Sequence, residues 1–258
     1  MNDKLMFEIE SGNDLRQSDD LVKRIQANYQ AVQEKIAQVA RSVGRQPDQV
    51  RLMVVTKGHS LEVVRAALEA GARLFGENYV EEALVKIQAL STIPDIEWHM
   101  IGHVQSRKAD QVSQDFSWVH TVDSLKLATR LDRFAGALGR RLTVLLECNV
   151  SHEESKFGWK AWDESGWGTL AGEIAPILDL PALEVRGLMT MPPFFPDPEL
   201  ARPYFKKLRQ LQVFFRDRFP QISWSELSMG MSGDFEVAVQ EGATIVRVGT
   251  AILGERIG

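Results

Sequence analysis

Lys57, Arg247 and the turns at 228–234 and 249–254 are the residues whose types and spacing could do chemistry. Ser228-Met229-Gly230-Met231-Ser232-Gly233-Asp234 is followed, ten residues on, by Ile245-Val246-Arg247-Val248-Gly249-Thr250-Ala251-Ile252-Leu253-Gly254. Each stretch reads as a short strand ending in a small-residue turn rich in backbone N–H and hydroxyl donors, with a helix between them. Such turns hold phosphate, and in parallel barrels they follow the seventh and eighth strands. Lys57 ends the apolar run Leu52-Met53-Val54-Val55-Thr56. At the mouth of a barrel, partial desolvation favours its neutral amine, a nucleophile for an aldehyde. The alternative is a strand-end lysine with a buried stem and a solvated charge. Lys156 competes for the role, but the neighbouring Glu153 and Glu154 favour its charged form.

Arg247 lies in an otherwise apolar strand, where an unpaired guanidinium would be very costly. Its partner is either a carboxylate such as Glu147 or a ligand. Arginine facing the ring nitrogen of pyridoxal phosphate is one such use, and it leaves that ring unprotonated. Asn78 could touch a bound ring, with Glu77 orienting it or capping the next helix. His103 and His120 stand at strand ends without the spacing of a metal site, so no metal is expected. Ser232 and Asp234 read first as a helix N-cap and second as phosphate ligands. Ser228 lacks a G-x-S-x-G elbow, which argues against hydrolase chemistry. Cys148, the single cysteine, falls in a strand-like run and reads as core.

These residues need elements that converge. Eight strand-like runs occur: Leu52–Thr56, Arg73–Phe75, Trp98–Ile101, Trp118–Thr121, Leu142–Asn149, Leu183–Met189, Trp224–Ser228 and Thr244–Val248. Helical spacing fills the intervals, over 61–70, 80–90, 106–112, 125–138, 169–178, 200–219 and 235–240. Near-continuous apolar strands alternating with helices imply a parallel sheet covered on its outer face. Eight such units predict an α/β fold, a single (β/α)8 TIM barrel. An open doubly wound sheet usually has fewer strands and often a G-x-G-x-x-G turn, which is missing. Apolar residues from Leu21 to Val39 predict an additional N-terminal helix ended by Gly44 and Pro47. Residues 1–19 show no periodic apolar face and are expected to form a loose extension, leaving 20–258 as the barrel domain. The Pro-rich 191–198 reads as a rigid loop after the sixth strand.

Composition narrows the classes. At 258 residues and 44% hydrophobic content the chain can bury a full core. A net charge of −5 without basic runs gives no footprint for nucleic acid, and no apolar run is long enough to span a membrane. One cysteine and a start, Met1-Asn2-Asp3-Lys4, without signal-peptide layout lead us to expect a cytoplasmic protein.

Read in order, Val55-Thr56-Lys57, 75–79, 98–108, 153–158, 186–191 and 227–254 resemble the YggS/PROSC family, the pyridoxal phosphate homeostasis proteins, similar in fold to the N-terminal barrel of alanine racemase. The resemblance covers residues 20–256. It implies that Lys57 carries pyridoxal 5′-phosphate as an internal aldimine and that Arg247 faces the pyridine nitrogen. Gly249 and Thr250 would contact the phosphate, with Ser228 as a second arm, Asn78 and Met189 would surround the ring, and Met229 is counted among the cofactor-binding residues. Gly58-His59 departs from the Thr-Lys-Pro pattern of many members. Related racemases complete their sites with a second, mainly β domain, and this sequence ends directly after the eighth unit. The reading is therefore a non-catalytic carrier or buffer of the cofactor, with no catalytic residues assigned, serving pyridoxal phosphate-dependent apo-enzymes, expected to be monomeric. The alternative is a weak amino-acid racemase using Lys57 as its base.

Overall fold

Strands form where β-branched and apolar residues run without interruption, and helices where apolar positions recur at three and four. The computed structural model, which describes residues 2–153 and 155–255, follows that division closely. Its strands are β1 (Arg51–Val55), β2 (Leu74–Glu77), β3 (Glu97–Met100), β4 (Trp118–Val122), β5 (Leu142–Asn149), β6 (Trp159–Lys160), β7 (Leu183–Met189), β8 (Glu226–Ser228) and β9 (Ile245–Val248). Between and around them lie α1 (Asn2–Ser42), α2 (Leu61–Glu69), α3 (Val80–Ala89), α4 (Ala109–Asp115), α5 (Leu125–Ala137), α6 (Trp167–Leu178), α7 (Arg202–Arg218), α8 (Phe235–Gln240) and α9 (Thr250–Leu253).

Eight strands pair in parallel in the order β1, β2, β3, β4, β5, β7, β8, β9, and β9 closes on β1 through Arg51–Ile245 to Val54–Val248. This is the expected TIM barrel. The two-residue β6 is an addition that the sequence did not announce; it pairs outside the ring with Cys148 and Asn149. α1 buries Ile25, Tyr29, Val32, Ile36 and Val39. Its Asn28 Nδ2 donates to Ile252 O in α9 at 3.0 Å. The backbone of residues 2–19, read as an extension, continues that helix.

Two apolar layers result. The larger lies between ring and helices, where Val54, Phe75, Leu146 and Val246 meet the buried faces of α2, α5 and α7. The smaller plugs the barrel with Met53, Leu74, Ile101 and Ile245. Hydroxyl caps fix two helix starts: Ser60 accepts from Val63 N and Ser124 from Leu127 N. No helix among the described residues is long and apolar enough to cross a membrane.

Candidate functional site

Parallel closure brings every strand's C-terminal end to one rim, so the loops there enclose a common space. That space is a cavity of about 290 Å³. Lys57 and Asn78 enter it from just beyond β1 and β2, Arg247 from β9, and Gly249 and Thr250 from the turn that follows. Met231, Ser232, Gly233 and Asp234 line it from the loop after β8, and Met191, Phe194 and Phe195 form an apolar wall after β7.

The turn at Lys57 is clamped from below. Glu77, fully buried, accepts from the Thr56 hydroxyl at 2.6 Å and from Lys86 Nζ at 2.7 Å. Lys86 Nζ also donates to Thr56 O at 2.7 Å and to Glu82 at 2.5 Å, and Gly58 N donates to the same Glu82 carboxylate at 2.7 Å. Burial pushes the Glu77 carboxyl up, against the bonds from Lys86 and Thr56. Glu77 thus ties the ends of β1 and β2 together and caps no helix: the N-cap of α3 is Tyr79. Lys57 itself is half-buried.

Arg247 is 4% exposed, and its bonds differ from the Glu147 ion pair considered from sequence. Nη1 donates to Ser228 Oγ at 2.7 Å and Nη2 to Thr190 O at 2.9 Å. Burial lowers its pKa to about 10, against the charges of Asp234 and Glu147, so it stays cationic at neutral pH. Glu147 acts on it only through space. Its Oε2 has no hydrogen-bond partner in the structure, and burial, reinforced by Asp123, raises its pKa to about 7.

The turn after β9 is gathered by Ser232, whose Oγ accepts from Gly249 N at 3.3 Å and Ala251 N at 3.4 Å. These are long bonds that a stronger acceptor can replace. Asp234 Oδ1 accepts from Met231 N at 2.6 Å and shapes the same loop. Gly249 is packed close: an added Cβ would stand 3.2 Å from Val55 O.

Of the residues singled out in the sequence, Lys57, Asn78, Arg247, Gly249 and Thr250 share the cavity, whereas Met189, Ser228 and Met229 do not. Ser228 pairs with Ile245, two residues below Arg247, and is spent on Arg247 and on His120 Nδ1 at 2.9 Å. Met189 is level with Ser228 and fully buried, so Met191 reaches the cavity in its place. Met229 points the other way, into the layer under the helices. Ser232, ranked first as a cap, holds the turn where Ser228 was expected. The wall of Phe194 and Phe195 was not foreseen, although the Pro-rich loop carrying it was placed at this rim.

Comparison with known proteins shows the family. The family model for the alanine racemase N-terminal domain matches residues 27–257. The pyridoxal phosphate homeostasis protein of Escherichia coli K12 is 39% identical over 234 residues, covering 89% of this chain and 95% of its own. The structure of Synechococcus elongatus PipY with pyridoxal phosphate bound matches at 38% identity and a TM-score of 0.73, covering 85% of this chain and 100% of PipY. Alanine racemase from Streptomyces coelicolor shares the fold alone, at 18% identity and a TM-score of 0.65, with 90% of this chain matched to 58% of that one.

Proposed function

This chain belongs to the alanine racemase N-terminal domain family, and within it to the pyridoxal phosphate homeostasis proteins, and from that premise we propose that it binds pyridoxal 5′-phosphate in the cavity at the barrel mouth as a carrier or buffer. One observation carries the reading: an amine, a buried guanidinium and a cup of N–H and hydroxyl donors line a single cavity. At about 290 Å³ it is close to the lower end of small-ligand pockets, roughly 300 Å³.

When bound, the cofactor supplies an aldehyde that condenses reversibly with a primary amine. Lys57 presents that amine from a turn its neighbours hold rigid. Arg247, charged and fixed by Ser228 and Thr190, offers its remaining donors to the ring nitrogen and does not yield a proton to it. The N–H groups of Gly249 and Ala251 and the hydroxyls of Thr250 and Ser232 would take the phosphate, and Asn78 would border the ring, with Met191 and Phe194 as an exposed apolar flank.

Racemisation needs a second acid–base group across from the lysine. The ionisable side chains lining the cavity among the described residues are Lys57, Asp234 and Arg247, with no tyrosine, histidine or cysteine. Of these, Arg247 stays cationic and Asp234 is tied to the Met231 N–H, so the reading favours binding over catalysis. In this reading residues 20–258 form the binding unit, a cytoplasmic monomer that releases cofactor to apo-enzymes. The test combines titration with pyridoxal phosphate, an amino-acid racemisation assay, and reactivation of an apo-enzyme by the loaded protein. Saturable binding, no racemisation and reactivation are expected; turnover that depends on Lys57 would overturn the carrier reading.

A further inference from the structure

The hydroxyl of Ser228 ends a file of polar side chains that runs through the barrel to its opposite end. Arg247 Nη1 donates to Ser228 Oγ at 2.7 Å, Ser228 Oγ lies 2.9 Å from His120 Nδ1, His120 Nε2 lies 2.9 Å from His99 Nδ1, and His99 Nε2 lies 3.3 Å from Glu97 Oε2. Glu97 opens β3, at the barrel end remote from the cavity, and its Oε1 accepts from Arg51 Nη2 at 2.7 Å. His99, His120 and Ser228 are fully buried, so water does not interrupt the file. Trp118 stacks on the His99 ring with planes 11° apart and fixes its tilt.

Each neutral imidazole has one donor and one acceptor nitrogen, so the file can be polarised in only one of two senses. Both rings are neutral at pH 7: burial takes His99 to about 4 and drives His120 well below its ordinary value. Glu97, held at about 2 chiefly by its bond to His99, only accepts. His99 therefore carries its proton on Nε2, leaving Nδ1 to accept from His120 Nε2–H. His120 Nδ1 then accepts from the Ser228 hydroxyl, whose free lone pairs meet Arg247. We infer that Glu97 sets the tautomers of both histidines and, through Ser228, aims the Arg247 guanidinium at the cavity. The consequence for cofactor affinity rests on the reading that Arg247 meets the pyridine ring. Glu97 and the two histidines are positioning residues that do not touch the ligand.

The test replaces the carboxylate by an amide. In Glu97→Gln, Arg51 requires the amide oxygen, so the NH2 turns to His99 Nε2 and forces it to accept. The protons of His99 and His120 then both move to Nδ1, and the Ser228 hydroxyl loses its acceptor. Glu97 is 44% exposed, so the variant should fold. 15N-histidine NMR on the protein without cofactor reads the tautomers directly. Nε2–H at both rings is expected in the wild type, and Nδ1–H at both in Glu97→Gln. Adding Arg51→Met frees the amide to turn its oxygen to His99 and should restore Nε2–H. Nδ1–H in the wild type, no inversion in Glu97→Gln, or no restoration in the double variant would overturn the polarised file. Affinity for pyridoxal phosphate should fall in Glu97→Gln, by about fivefold where the re-aimed Arg247 forfeits one hydrogen bond to the ligand. Inverted tautomers with unchanged affinity would overturn the positioning role. If wild-type protein fails to bind the cofactor, the binding reading falls while the tautomer result stands.

Discussion

Gly102 follows β3 and lies against the backbone that carries Asn78 into the cavity. A Cβ at this position would stand 2.2 Å from Asn78 O and 2.6 Å from Asn78 Cα. Gly102 cannot retreat, because Thr121 Oγ1 donates to its carbonyl at 2.8 Å and Ile101 N donates to Glu77 O at 2.9 Å. Relief must come from the loop after β2. Restoring ordinary contact distances requires a displacement of about 1 Å. Gly102→Ala should then cost ~1–3 kcal/mol of stability, the range for overpacking a rigid site. If the displaced Asn78 loses one hydrogen bond to the ligand, affinity for pyridoxal phosphate should fall about fivefold. Urea unfolding and cofactor titration measure the two effects separately. A variant with wild-type stability and affinity would refute the claim that this glycine fixes the Asn78 side of the site.

Ser232→Ala removes the hydroxyl that gathers the Gly249 and Ala251 N–H groups, and should weaken binding of the cofactor more than binding of its unphosphorylated aldehyde, measured by competitive titration. Glu147 has its folded pKa raised to about 7 from 4.5, so between those values the folded protein holds a proton that the unfolded chain has lost, and stability falls as pH rises through the window. Glu147→Gln should flatten that slope by up to about 3 kcal/mol between pH 5 and 8, read from urea unfolding at both pH values. His99 has the opposite sign, since its folded pKa is depressed to about 4. Its contribution is present above pH 6.5 and lost as pH falls toward 4, so His99→Gln should lessen acid sensitivity in a pH melt. Cys148, fully buried and with its thiol pushed up by burial, should resist a thiol reagent in buffer and react completely in denaturant.

The barrel was legible because each strand is a short apolar run and each helix shows its own period, as in Leu142–Asn149 and Phe235–Gln240, whose limits coincide with β5 and α8. Lys57 and Arg247 stood out for a related reason: a cation inside an apolar run needs a purpose. The placements that differ from the sequence reading have one physical source. Ser228 and Met189 end their strands just as Lys57 follows its own, yet closure staggers neighbouring strands, and Ser228 pairs with Ile245 and not with Arg247. That stagger is a property of the closed ring and leaves no mark in local sequence. The His120–His99–Glu97 file escaped notice likewise, because its members come from two strands and meet only inside the barrel.

The central claim is a cofactor held through Lys57, and the most direct measurement is borohydride reduction of the protein loaded with pyridoxal phosphate, with visible absorbance and peptide mass mapping, beside Lys57→Ala. A yellow protein whose band disappears on reduction is expected, with the added mass on the peptide containing Lys57 and neither feature in the variant. Label on Lys156 instead, or a wild-type protein that is colourless once unbound cofactor has been removed, would contradict it.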